Sequence, residues 1–207
     1  MIKNIIFDVG KVLIDWYPHE TMKKLGFNAK DIEAIDEILF QSGAWNEEDI
    51  SIKNQTEKEE YFASLSSKYS DKIRLFYKHS MDSATLRDYT LPLLQSIKSA
   101  GYNTYILSNF GKGAKETLEK KGIFDFLKIV DGSLFSYEIH EIKPYPVIYK
   151  TLLEKYNLNA EECIFLDDVQ KNIDGVTNVG INGILFNNLS QAIDELKIYG
   201  VIFERNF

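Results

Sequence analysis

Four short, largely apolar runs punctuate this chain: Asn4 to Phe7, Thr104 to Leu107, Cys163 to Leu166 and Gly183 to Phe186. Each ends in polar or turn residues, and continuous apolar runs of this length suit strands buried on both faces of a parallel sheet. A weaker fifth run covers Leu127 to Val130. Between them, helical spacing recurs over Pro92 to Ala100, Lys112 to Lys121, Pro146 to Tyr156 and Ser190 to Tyr199. Pro92 suits a first helical turn, Gly101 a stop and Ser190 an N-cap. From about residue 90 onward, strand and helix thus alternate, the pattern of a doubly wound α/β domain.

The stretch from Trp16 to about Ala84 behaves differently. It has no comparable strand run, and amphipathic patterns over Ala29 to Phe40, Thr56 to Lys68 and Asp71 to His79 predict helices, with Thr56-x-x-Glu59 as a capping box. The reading is therefore a core of residues 1–15 and 85–207, with residues 16–84 inserted after the first strand as a helical lobe.

Composition narrows the function classes. A chain of 207 residues supports one substantial core, or a core with a smaller lobe. The formal charge of −7 argues against a broad nucleic-acid-binding face, though not against a local basic pocket. The single cysteine, Cys163, lies in an apolar run and reads as a buried small hydrophobe, which leaves no disulfide framework and no Cys-rich zinc site. The N-terminal apolar run is interrupted by Asp8, Gly10 and Lys11, so neither a signal peptide nor a membrane span is expected. The expectation is a cytoplasmic protein, monomeric or homodimeric, with no nucleic-acid or membrane partner.

The informative polar residues sit where the predicted strands end, the edge at which open α/β sheets bind ligands. They are Asp8-Val9-Gly10-Lys11, Ser108-Asn109, Asp167-Asp168 and, in a loop, Lys143-Pro144. Together they match what phosphoryl transfer requires: an in-line nucleophile, positive charge around the non-bridging oxygens and donors that hold the phosphate. Asp8 supplies a nucleophile able to form an aspartyl-phosphate. A carboxylate approaching a phosphate dianion needs a cation between them, and Mg²⁺ prefers oxygen ligands such as Asp8 and Asp168. Lys143 adds fixed positive charge, and Ser108 can donate to phosphate oxygens. Taken singly, Asp167-Asp168 and Ser108-Asn109 read as capping turns and Lys143 as a surface lysine; only their coincidence favours a site.

FDVGKVLID, ILSN, IKP and FLDDVQKNIDG, in that order, resemble the four signature motifs of the haloacid dehalogenase-like hydrolase superfamily. The resemblance implies a Rossmann-like core, a helical cap inserted after the first motif, and hydrolysis of a small phosphorylated metabolite through an aspartyl-phosphate. Carried over position by position, it makes Asp8 nucleophile and metal ligand, and the Gly10 carbonyl a second ligand. Asp168 becomes a direct ligand, Asp167 the holder of a metal-bound water, and Asn172 a support for the metal shell. Ser108, Asn109 and Lys143 become phosphate binders.

The first motif departs from the common pattern. Most phosphatases of the superfamily carry an aspartate two residues after the nucleophile as general acid/base, and here that position is Gly10. The D-x-G form is similar to that of bacterial phosphatases acting on glucose 1-phosphate. A leaving group that is a weak base needs less protonation, so sugar 1-phosphates are expected to be favoured. Asp15 or His19 could enter from the lobe to replace the acid. Trp16, Tyr17 and Trp45 are candidates for the pocket wall or for core packing, while His79 and His140 read as structural. Two other functions remain open: a 2-haloacid dehalogenase, which needs no metal and which the paired Asp167-Asp168 disfavours, and a phosphate-binding protein impaired in catalysis by the loss at Gly10.

Overall fold

The computed structural model describes residues 1–204. β1 (Asn4–Phe7) and the two-residue β2 (Ile14–Asp15) lead into the helices α1 (Pro18–Lys24), α2 (Ala29–Asp36), α3 (Asn46–Ile50), α4 (Gln55–Ser64) and α5 (Ser70–His79), after which comes β3 (Thr85–Leu86). The chain then alternates through α6 (Thr90–Ser99), β4 (Asn103–Ser108), α7 (Lys112–Lys120), β5 (Gly132–Phe135), α8 (Ser136–Ile139), α9 (Pro146–Tyr156), β6 (Cys163–Asp167), α10 (Gln170–Thr177), β7 (Asn182–Leu185) and α11 (Leu189–Ile198).

The principal sheet is parallel, in the order β5-β4-β1-β6-β7, with helices on both faces, as expected of an α/β Rossmann-like core. Alternate side chains of a strand point to opposite faces, and the cores divide accordingly. Ile5, Phe7, Ile106, Ile164 and Leu166 enter one buried cluster, while Ile6, Tyr105, Leu107 and Phe165 enter the other. The inserted helices have a core of their own around Met22, Leu39, Phe62 and Phe76. Trp45 packs against both this core and that of the sheet, so it sits at the seam. β2 and β3 pair antiparallel, Ile14 opposite Leu86 and Asp15 opposite Thr85, which brings the two ends of the helical lobe together.

Several local expectations are corrected. The run from Leu127 to Val130 is not a strand; a 3₁₀ helix spans Ile123–Lys128, and its Phe124 and Phe126 are buried. The edge strand is instead β5, where a Cβ on Gly132 would lie 2.3 Å from the Tyr156 ring, so the closest approach falls where the side chain is smallest. The capping box of α4 is Asn54 with Glu57, two residues earlier than Thr56 with Glu59, and α11 is capped by Asn188 with Gln191 rather than by Ser190. The helix read from Ala29 to Phe40 is α2 followed by a π-helical turn over Glu37–Gln41. No described helix is long and apolar enough to cross a membrane.

Candidate active site

β1 is the central strand, and the chain builds outward from it first to β4 and β5, then back across to β6 and β7. A crevice therefore opens at its C-terminal end, the switch point of an open α/β sheet. Asp8 is the first residue past β1, held by its backbone N–H donating to the Leu166 carbonyl at 2.9 Å. Ser108, the last residue of β4, donates its Oγ hydrogen to Asp8 Oδ1 at 2.7 Å. Lys143, in the loop before α9, is 2% exposed, and its Nζ lies 2.7 Å from Asp8 Oδ1 and 2.7 Å from Asp167 Oδ2. The Phe165 ring lies 5.2 Å from the same ammonium. The Lys143-Pro144 peptide bond is cis.

Asn109, expected to bind phosphate, lines the cavity and turns its side-chain amide to the Lys143 backbone. Its Nδ2 donates to the Lys143 carbonyl at 3.1 Å and its Oδ1 accepts from the Lys143 N–H at 2.8 Å, so both ends of the amide are committed to holding the Lys143 loop. Asp167, at the end of β6, is fully buried and saturated: it accepts from Lys143, from the Val169 N–H at 2.8 Å, and from Asn172 Nδ2 at 3.0 Å on each oxygen. Asp168 is more open, with Lys11 Nζ 3.6 Å from its Oδ2. Lys11 adopts a left-handed backbone (φ 55°) as the chain turns sharply after Gly10.

Burial, reinforced by the Asp167 charge and opposed by Lys143 and Ser108, pushes the Asp8 carboxyl up to about 6. Burial also raises Asp168. Burial alone would pull the Lys143 ammonium down, but Asp167 and Asp8 outweigh it and its pKa stands above the ordinary lysine value. Two raised carboxyls around one buried cation mark an excess of negative charge that a further cation would relieve. Carboxylate oxygens of Asp8, Asp167 and Asp168 lie within 4.8 Å of one another, an all-oxygen donor set suited to a hard divalent ion. The buried Asn172 Oδ1 has no hydrogen-bond donor among the described residues, on a side chain whose Nδ2 is bound to Asp167. The residues present therefore fit a metal.

A cavity of about 280 Å³ joins these groups to the lobe, at the small end of the ~300–1,000 Å³ usual for ligand pockets. Asp8, Gly10, Ser108, Asn109, Lys143, Asp168 and Asn172 all line it. Asp15 and His19 do not: Asp15 pairs with Arg87 at 2.8 Å and accepts from Tyr17 Oη at 2.9 Å, while His19 pairs with Asp36. Trp16 and Trp45 form part of the wall, their rings 6.0 Å apart, whereas Tyr17 is exposed away from it. His79 pairs with Asp82, and His140 contacts the Ile50 carbonyl at 2.8 Å, both structural as expected.

The lobe contributes residues the sequence did not single out. Glu48 and Asp49, on α3, also line the cavity. Glu48 is buried against Tyr77 Oη (2.7 Å) and Lys58 Nζ (3.4 Å). Ser136 Oγ donates to the Asp49 carbonyl at 2.7 Å and accepts from the Phe110 N–H at 2.9 Å, tying α3 to the loop after β4. At Gly111 a Cβ would lie 2.4 Å from the Glu48 carbonyl, so α3 abuts the core backbone directly. The only sequence hint is an acidic run, Glu47-Glu48-Asp49, following Trp45, which by itself reads as a solvated surface.

Comparison with known proteins agrees with this architecture. The family model described as haloacid dehalogenase-like hydrolase matches residues 2–180. Among curated relatives, bifunctional epoxide hydrolase 2 of Sus scrofa is 32% identical over 137 residues, 60% of this chain and 24% of that protein. The Mus musculus counterpart is 30% identical over 123 residues, 56% of this chain and 22% of that protein. The matches thus span about a quarter of the length of those relatives. Among solved structures, the Bacteroides thetaiotaomicron HAD family enzyme bt-2542, in complex with magnesium and inorganic phosphate, superposes with a TM-score of 0.70 at 23% identity, covering 93% of this chain and 99% of that one. The L-2-haloacid dehalogenase of Xanthobacter autotrophicus, with chloropropionic acid covalently bound, superposes with a TM-score of 0.64 at 15% identity, covering 98% and 85%. At these identities the structural likeness speaks for the fold.

Proposed function

The chain belongs to the haloacid dehalogenase-like hydrolase family, and from that premise we propose that it is a magnesium-dependent phosphatase acting on a small phosphorylated metabolite, with a sugar phosphate favoured. The observation that carries the reading is the convergence of Ser108 and Lys143 on one oxygen of Asp8, with Asp167 and Asp168 alongside. That arrangement leaves Oδ2 of Asp8 as the attacking atom. It orients the nucleophile and puts fixed positive charge where phosphoryl oxygens would lie.

In the first half-reaction the Asp8 carboxylate attacks phosphorus, the bond to the ester oxygen breaks, and an aspartyl-phosphate forms; water then attacks this intermediate and returns Asp8. Magnesium, when bound, neutralises the approach of the carboxylate to the phosphate dianion. Asp8, Asp168 and the Gly10 carbonyl would hold it. Asp167, whose oxygens already accept from Lys143, Val169 and Asn172, would hold a metal-bound water rather than the ion directly. Asn109 fixes the Lys143 loop. Residues 16–84 serve as the cap over the leaving group, with Trp16 and Trp45 offering apolar surface to a sugar ring. The magnesium and phosphate in bt-2542 support this reading by analogy of fold.

The dehalogenase reading fits less well, because a carboxylate substrate would meet the Asp8, Asp167 and Asp168 charges with Lys143 as the one buried cation among the described residues at their centre. The deciding experiment is hydrolysis of p-nitrophenyl phosphate with and without Mg²⁺, for the wild type and Asp8→Asn. Turnover that requires both is expected. Metal-independent release of halide from 2-haloacids, without phosphatase activity, would replace this reading with the dehalogenase.

A further inference from the structure

Gly10 leaves the reaction without a proton donor in the usual place, and the two residues the sequence offered instead, Asp15 and His19, are paired elsewhere and line no part of the cavity. We propose that Asp49, carried by α3 of the helical lobe, is the acid that protonates the departing oxygen and then activates water. This rests on the phosphatase reading above.

The position suits the role. In-line displacement places the leaving oxygen on the side of phosphorus away from Asp8, and the lobe contributes Trp16, Trp45, Glu48 and Asp49 to the cavity wall. Asp49 lines the same cavity as Asp8, Ser108 and Lys143. Its backbone is fixed to the core rather than to the lobe alone, through Ser136 on the Asp49 carbonyl and His140 on the next one. Among the described residues its carboxyl makes no hydrogen bond or ion pair, whereas the adjacent Glu48 is bound to Tyr77 and Lys58. A carboxyl held in a cavity wall without a partner is available to substrate.

Its protonation state agrees. Burial first, then the Glu48 charge and more weakly that of Asp8, push the Asp49 carboxyl up to about 8, with Lys58 and Lys143 opposing. At neutral pH Asp49 therefore carries the proton an acid must donate. As the bond from phosphorus to the ester oxygen breaks and Asp8 bonds to phosphorus, that oxygen takes the Asp49 proton and leaves as an alcohol. The resulting Asp49 carboxylate then accepts a proton from the water that attacks the aspartyl-phosphate, which releases phosphate and Asp8 and restores the acid. With a donor in place, the restriction to weakly basic leaving groups expected from Gly10 falls away, and ordinary sugar-alcohol phosphates become substrates.

The test compares leaving groups. With Mg²⁺, kcat/KM of wild type and Asp49→Asn is measured on p-nitrophenyl phosphate, whose leaving group needs little protonation, and on glucose 6-phosphate, whose leaving group needs it. Removing an acid costs ~10²–10⁴-fold where proton transfer is needed. The expected result is a loss of about a hundredfold or more on glucose 6-phosphate, exceeding the loss on p-nitrophenyl phosphate at least tenfold. Wild type read alone across substituted phenyl phosphates should show a shallow dependence on leaving-group basicity. Equal losses on both substrates, no loss on either, or a steep dependence in the wild type would overturn the role of Asp49 while leaving the phosphatase reading intact. A wild type that hydrolyses no phosphate ester would overturn both.

Discussion

Replacing Lys143 by Met removes a buried cation whose ammonium lies 2.7 Å from Asp8 and 2.7 Å from Asp167, and it retains most of the side-chain volume. The loss is thus electrostatic rather than one of packing. Breaking a buried ion pair by removing one partner costs ~3–5 kcal/mol, because the remaining charge is left desolvated. Here two carboxylates are stranded, one 7% exposed and one fully buried, so the upper half of that range is expected in EDTA at pH 7.5. For a chain of this size, each kcal/mol lowers Tm by ~2–4 °C, so the shift should be about 8–20 °C. Asp8 already stands at about 6, and without Lys143 opposing burial it rises further. The variant's folded state then holds a proton that the unfolded chain releases, so its stability falls as pH rises and its deficit against wild type is smaller at pH 5 than at pH 7.5. Millimolar Mg²⁺ should recover part of the loss at pH 7.5, since it supplies positive charge to the same carboxylates. Urea unfolding with and without Mg²⁺ at both pH values measures all of this. A loss below about 1 kcal/mol in EDTA at pH 7.5 would refute the argument that Lys143 is the counter-charge holding Asp8 and Asp167 together.

Gly111→Ala forces a Cβ to within 2.4 Å of the Glu48 carbonyl, so α3 must shift; a stability loss of ~1–3 kcal/mol, read by thermal melting, should accompany at least a tenfold fall in kcat/KM on glucose 6-phosphate. At Gly10, by contrast, a Cβ meets nothing within 4 Å, so Gly10→Asp is sterically admissible. Introduced into Asp49→Asn, it should restore glucose 6-phosphate hydrolysis at least tenfold, and steady-state kinetics showing no gain would count against a vacant acid role beside the nucleophile.

How much of this was legible beforehand follows from the range of the forces involved. β1, β4 and β6 announced themselves because strands buried on both faces leave a continuous apolar run, and β7, only partly buried at the sheet edge, was readable because Phe186 extends its Ile184-Leu185 into a run of three. β5 did not, since Gly132-Ser133-Leu134-Phe135 has only two apolar residues, while the neighbouring run from Leu127 to Val130 has three and follows directly on the buried Phe124 and Phe126 of a 3₁₀ helix. Caps were misplaced by two residues at α4 and α11, where several adjacent polar side chains could each have served and only the backbone decides. Asp8, Ser108 and the Asp167-Asp168 pair were readable because strand ends share one edge of a sheet. The contact of the Asn109 side chain was not, because its partner is the backbone of a residue 34 positions away. Asp49 was least visible of all, since its relation to Asp8 exists only once α3 docks across the seam between lobe and sheet.

The β2–β3 ribbon has a consequence for the molecule's history. Because Ile14 faces Leu86 and Asp15 faces Thr85, everything between them departs from and returns to a single point on the frame, and topologically it is one long loop. Closing such a loop depends only weakly on its length, at ~0.6 kcal/mol per doubling. Segments can therefore be lengthened, trimmed or exchanged there without disturbing the register of β1 against β4 and β6, so under the proposed function the lobe facing the leaving group is free to vary while the sheet that carries Asp8 stays as it is.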